Sequence, residues 1–147
     1  VIYIRTFYLF EIKENILKNY KNNYEELYSL LENIHYLKTE DIILGFNIYD
    51  KIVSPLKKDT FNEYIKEKNL DKESYIYYSY THTINDYYFN ESTKMIINNS
   101  HIKIKTNKNI PSFFYNIRNF NNMFVCDFEH HDYFLLEDTI YTSCISV

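Results

Sequence analysis

The fold turns on Arg5-Thr-Phe-Tyr-Leu-Phe-Glu-Ile-Lys-Glu-Asn-Ile-Leu-Lys-Asn-Tyr20, where a strand gives way to a helix. From Ile2 to Ile12 the chain is apolar on both faces and rich in aromatic and β-branched residues. That is the pattern of an interior strand covered by helices on one side or both. From Lys13 the period changes: Ile16, Leu17, Tyr20, Tyr24, Leu27, Leu31 and Ile34 recur at three- and four-residue steps, which predicts an amphipathic helix. The adjacent asparagines of Lys21-Asn22-Asn23 favour caps and turns over helix interiors and mark the place where this helix breaks. On periodicity alone, Ile16 and Tyr20 fall in the same core stripe as Leu17, Tyr24 and Leu31.

Thr39-Glu40-Asp41 starts a second helical region, its acids suited to the positive N-terminal end, and Ile42, Phe46, Tyr49 and Val53 repeat at helical spacing. Gly45, the only glycine, weakens that element, and Ser54-Pro55 ends it. Thr60-Phe-Asn-Glu63 has the form of a capping box for a third helix reaching Asn69. Glu73 to Thr83 alternates as a strand, Asn85-Asp86 turns into Tyr87-Tyr88-Phe89, and Asn90-Glu-Ser turns into Lys94–Ile97. Asn98-Asn99 then turns into His101–Lys105, so the middle of the chain predicts an antiparallel meander. A helix opens at Asn109-Ile-Pro111 and buries Phe113, Phe114, Ile117 and Phe120. A last hairpin joins Met123–Phe128 to Tyr133–Leu136 through Glu129-His-His-Asp132. With no internal repeat and no low-complexity linker, the expectation is one domain over residues 1–147 of α+β class, two layers, with helices packed on a largely antiparallel sheet.

A chain of 147 residues buries enough surface to fold without a metal or disulfide staple. Its 17 Tyr and 11 Phe, beside no Ala, Gln or Trp, match the drift of an AT-rich coding sequence, so most single tyrosines carry no message. The net charge of −4 argues against a general nucleic-acid binder, because phosphate neutralisation needs a basic surface. Two cysteines, Cys126 and Cys144, form no disulfide framework and lack paired ligand spacing, which fits a reducing cytoplasm. Val1 to Phe10 is interrupted by Arg5, is too short to span a membrane and has no small-residue cleavage site, so no membrane association is expected.

Few residue clusters suggest chemistry. Glu129-His130-His131-Asp132 is the densest set of ligand types and offers the alternative reading, a metal-dependent enzyme, although adjacent residues on a turn point apart. The plainer reading is a solvated hairpin turn. Lys94, Lys103, Lys105 and Lys108 form a basic strip whose simplest role is protection of a sheet edge against aggregation. A single glycine cannot build a glycine-rich phosphate loop. Cys126, in an apolar strand, reads as an inert buried thiol.

Tyr8-Leu9 to Lys13-Glu14, Ser54-Pro55-Leu56, Tyr75-Ile76-Tyr77, Phe113-Phe114 with Arg118, and Phe124-Val125-Cys126-Asp127-Phe128 followed by Tyr133 form an ordered set of short motifs. Their order resembles that of the sporulation inhibitor of replication family, SirA. Together they cover nearly the full chain. The resemblance implies a small cytoplasmic protein, without enzymatic activity or cofactor, that binds the N-terminal domain of the replication initiator DnaA and restrains chromosome replication during sporulation. It implies a partner-binding face that falls here on Ile16 and Tyr20 of the first helix and on Ile48 and Lys51 of the second helical region. Two positions depart from the family pattern: Ile16 stands where an aromatic is usual, and Leu135 where a Trp is expected.

Overall fold

The computed structural model describes residues 2–138. The chain runs β1 (Arg5–Glu11), α1 (Glu14–Asn19), α2 (Tyr24–His35), a 3-10 turn (Thr39–Asp41), α3 (Ile42–Ile52), α4 (Lys58–Asn69), β2 (Tyr75–Tyr78) and β3 (Thr81–Asp86). It continues through β4 (Glu91–Ile97), β5 (Ile102–Thr106), α5 (Phe113–Ile117), β6 (Met123–Asp127) and β7 (Asp132–Leu135). The strands form one antiparallel seven-stranded sheet in the order β2-β3-β4-β5-β1-β6-β7. The class is α+β.

β1 is the interior strand that its two apolar faces require. It pairs with β5 through Phe7 opposite Ile104 and Leu9 opposite Ile102, and with β6 through Leu9 opposite Val125 and Phe10 opposite Phe124. Because side chains alternate along a strand, its residues divide between two cores. Phe7 and Leu9 join Phe61 and Ile65 of α4 and Phe113, Phe114 and Ile117 of α5. Phe10, and Ile12 just beyond the strand, join Leu17 of α1, Leu27 and Leu31 of α2 and Ile52 of α3 on the opposite face. Helices therefore pack on both faces of the sheet, where the sequence suggested a single helix layer. On this second face α1, α2 and α3 pack against residues of β1, β6 and β7.

Helix breaks follow local chemistry. The α1–α2 break falls at Tyr20–Asn23, where Asn23 N–H donates to the Tyr20 carbonyl at 2.8 Å, so the weakness read in Lys21-Asn22-Asn23 is realised. α3 stops at Ile52 and the chain leaves it through Val53, Ser54 and Pro55. The capping box is not formed: α4 starts at Lys58, so Thr60 lies inside the first turn, and no side chain caps the helix. Phe61 N–H donates instead to the Lys57 carbonyl at 3.0 Å, which sets the earlier start.

Two strand assignments change. Glu73–Thr83 is a hairpin, with Ser79 at φ 55° turning between β2 and β3; a two-residue turn leaves the alternation on either side intact, so the pattern reads as continuous. Tyr87-Tyr88-Phe89, read as a strand, forms the β3–β4 turn, closed by Asp86 Oδ1 accepting from Phe89 N–H at 3.1 Å and by Asn90 at φ 50°. Aromatic content there mimics a strand, but the asparagine and aspartate side chains decide. The basic strip changes role too. β4 and β5 are interior strands, so Lys94 and Lys105, paired with each other, stand exposed on the sheet face and protect no edge.

Candidate interaction site

The corner where α1 meets the end of α3 is fixed by main-chain bonds. Ile12 bridges to Val53, Lys13 N–H donates to the Ile52 carbonyl at 2.9 Å, and Ser54 N–H donates to the Glu11 carbonyl at 2.8 Å. The Lys13 ammonium adds a bond to the Asp50 carbonyl at 2.5 Å, at the negative end of α3. These ties carry the first turn of α1 and the last turn of α3 as one unit.

Along α1 and α2, Leu17 and Leu31 are buried, whereas Ile16, Tyr20 and Tyr24 are half-buried and pack against the rim of the same core. Ile48 is half-buried on the same rim, and Lys51 is exposed. Ile16, Tyr20 and Ile48 thus each keep one side on the core and one toward solvent. They are neither the fully buried stripe that periodicity suggests nor free surface residues.

Sequence reading missed the neighbouring surface. Ile42 and Phe46 belong to the stripe expected to be buried, yet Phe46 is 61% exposed and Ile43 74% exposed, with Leu44 and Tyr36 also exposed beside them. α3 turns Gly45 and Ile52 inward instead. The available signal was the run Ile42-Ile43-Leu44: three consecutive apolar residues on a helix cannot all face one core. Gly45 lies against Leu37, whose Cδ1 would have to shift to admit a Cβ there.

The Glu129–Asp132 cluster does not converge. His130 folds back so that Nδ1 lies 2.9 Å from Asp127 Oδ2, His131 Nδ1 lies 3.2 Å from Glu32 Oε2, and Asp132 accepts from the Arg5 guanidinium at 2.6 Å. Glu129 is exposed. Among the described residues no group of three or more His, Cys, Asp or Glu side chains is placed to hold a metal ion. Cys126 is fully buried, and burial pushes its thiol well up from the usual range, which leaves it a poor nucleophile. Cys144 lies outside the described residues. Among the described residues no helix is long and apolar enough to cross a membrane.

No protein-family model and no curated protein matches the chain.

Proposed function

We propose that this protein is a cytoplasmic regulator that binds the N-terminal domain of the replication initiator DnaA and inhibits initiation of chromosome replication during sporulation. It acts by occupying a surface, with no chemical step and no cofactor. The motif order that resembles the SirA family supports this reading along nearly the whole chain. The observation that supports it is that Ile16, Tyr20 and Ile48 are half-buried on the rim of one core, with Lys51 exposed on α3, where main-chain bonds of Glu11, Ile12 and Lys13 join the chain to the end of that helix.

A partner seated there meets a half-exposed aromatic, two aliphatic side chains and a lysine, with the exposed Ile43, Leu44 and Phe46 extending the apolar area along α3. A standard interface covers about 800 Å² per partner, and a central aromatic anchor costs about 2 kcal/mol or more when truncated. Covering the initiator's assembly surface blocks its loading at the origin. The direct test is calorimetric titration of the initiator's N-terminal domain into the full chain. A saturable one-to-one complex is expected; absence of binding at high micromolar concentrations of both proteins contradicts the assignment.

A further inference from the structure

An apolar cavity of about 320 Å³ opens between α2, α3 and the sheet face that carries Tyr8 and Phe10. Its walls are rings and aliphatic chains: Tyr8, Phe10, Phe46 and Tyr49 with Leu31 and Ile34. Gly45, which also lines it, keeps that part of α3 free of a side chain. Polar character is confined to one side, where His35 and His101 flank Tyr8 at ring-centroid distances of 4.9 and 5.7 Å. Lys103, the cross-strand partner of Tyr8, holds its ammonium 5.6 Å from the Tyr8 ring centroid. A small apolar cavity with a few polar groups gathered on one side is the ordinary form of a small-molecule site, and its volume sits at the low end of the range, about 300–1,000 Å³.

We propose that this cavity binds a small aromatic monocarboxylate of one or two fused rings, its ring among Tyr8, Phe10 and Phe46 and its carboxylate toward His35, His101 and Lys103. The charge pattern selects the class. Two imidazoles and one ammonium suit a monoanion, and the lining contains no arginine to grip a phosphate by a fork of donors. Carboxylates nearby are already engaged: Glu32, one turn before His35, accepts from the Tyr28 hydroxyl at 2.9 Å and lies 3.2 Å from His131. His101 Nδ1 is 2.8 Å from the Ser100 hydroxyl, whose carbonyl accepts from Tyr49. His35 stacks on Phe128 at 4.4 Å.

Burial and the Lys103 charge hold both imidazoles below their ordinary range, with Glu32 raising His35 and His35 lowering His101 as smaller effects. Burial and that charge thus favour the neutral form of each imidazole. A carboxylate arriving beside them favours their protonated forms, so binding takes up protons and strengthens as pH falls. The cavity shares Phe46 with the apolar area of the partner reading, while Tyr8, Phe10, Leu31, Ile34, His35 and His101 belong to the cavity alone.

The test is a titration of the full chain with 2-naphthoate, whose carboxylate stays ionised between pH 7.5 and 5.5, followed by NMR and calorimetry. Saturable shifts at Tyr8, Phe10 and His101 are expected, with affinity rising about tenfold across that range. The neutral isostere 2-naphthamide should bind at least tenfold more weakly at pH 5.5 and show no pH trend. Ile34→Trp fills the cavity and should abolish binding, while His35→Phe keeps the stack on Phe128 and should lessen the pH dependence to the part that His101 supplies. Absence of saturable shifts overturns the site. Equal affinity for the amide overturns the anionic class. Should Ile34→Trp fail to fold, the His35→Phe profile decides, an unchanged pH trend counting against the proposal.

Discussion

His82 sits fully buried on β3 between Tyr75, whose hydroxyl lies 2.7 Å from Nδ1, and Asn62, whose Oδ1 lies 2.7 Å from Nε2. Burial pushes its pKa down to about 4, with the Lys66 charge adding a smaller push. A group whose folded pKa lies below its unfolded value must stay neutral to keep the fold, so stability is full above about pH 6.5 and is lost as pH falls toward 4. The loss amounts to roughly 3 kcal/mol, and urea unfolding at pH 7.5 and 4.5 should show it in wild type and show far less in His82→Gln. Arg5 offers a second residue-scale test. Its Nε donates to the buried Asp127 at 2.9 Å and its guanidinium lies 4.4 Å from the Phe7 ring centroid, so Arg5→Leu leaves that carboxylate to His130 alone and should cost about 3 kcal/mol in the same assay. Neither contact was legible in the sequence, because each depends on which strands and helices the fold brings together: Arg5 and Asp127 meet across 122 residues through the register of β1 with β6. The inert Cys126 was legible, since a thiol between Val125 and Asp127 in an apolar strand needs only burial.

Element assignments were legible where one residue type dictates the backbone and illegible where packing dictates it. The strand-to-helix change at Lys13, the Asn22-Asn23 break, the Pro55 stop and the last hairpin follow from period and turn chemistry. The β2–β3 hairpin was hidden because a turn at Ser79 preserves alternation, and the Tyr87–Asn90 turn because tyrosines dominate its composition. The face of α3 was hidden for another reason. Four apolar residues among its first five, Ile42, Ile43, Leu44 and Phe46, leave several core-facing rotations open, and Leu37 packing onto Gly45 chooses among them. Ile43→Lys should therefore change stability by no more than about 0.5 kcal/mol, whereas Ile65→Ala in α4, fully buried, should cost about 3 kcal/mol. Thermal or chemical unfolding of the two variants checks both values; a large loss in Ile43→Lys would place that face in the core.

At the scale of the whole molecule, β1 is the element on which both cores rest. One face of the sheet packs on α4 and α5; the other carries the α1–α3 layer and, among the described residues, the exposed pair Lys94 and Lys105. This division separates a helical corner suited to a protein partner from a lysine-bearing sheet surface, and gives two places to perturb charge independently. The sequence named Ile48 and Lys51 only through a family resemblance; that Ile16, Tyr20 and Ile48 line the rim of one core depends on the Ile12–Val53 bridge and the Lys13 bonds, which no local pattern encodes. The most direct measurement is the affinity of the DnaA N-terminal domain for wild type, Tyr20→Ala, Lys51→Glu and the sheet-face control Lys94→Glu, with unfolding curves confirming that each is folded. Losses of about 2 kcal/mol, roughly thirtyfold, at Tyr20 and a clear loss at Lys51, with Lys94→Glu unchanged, are expected. Unchanged affinity in both corner variants would contradict the assignment of the α1–α3 corner as the partner-binding face.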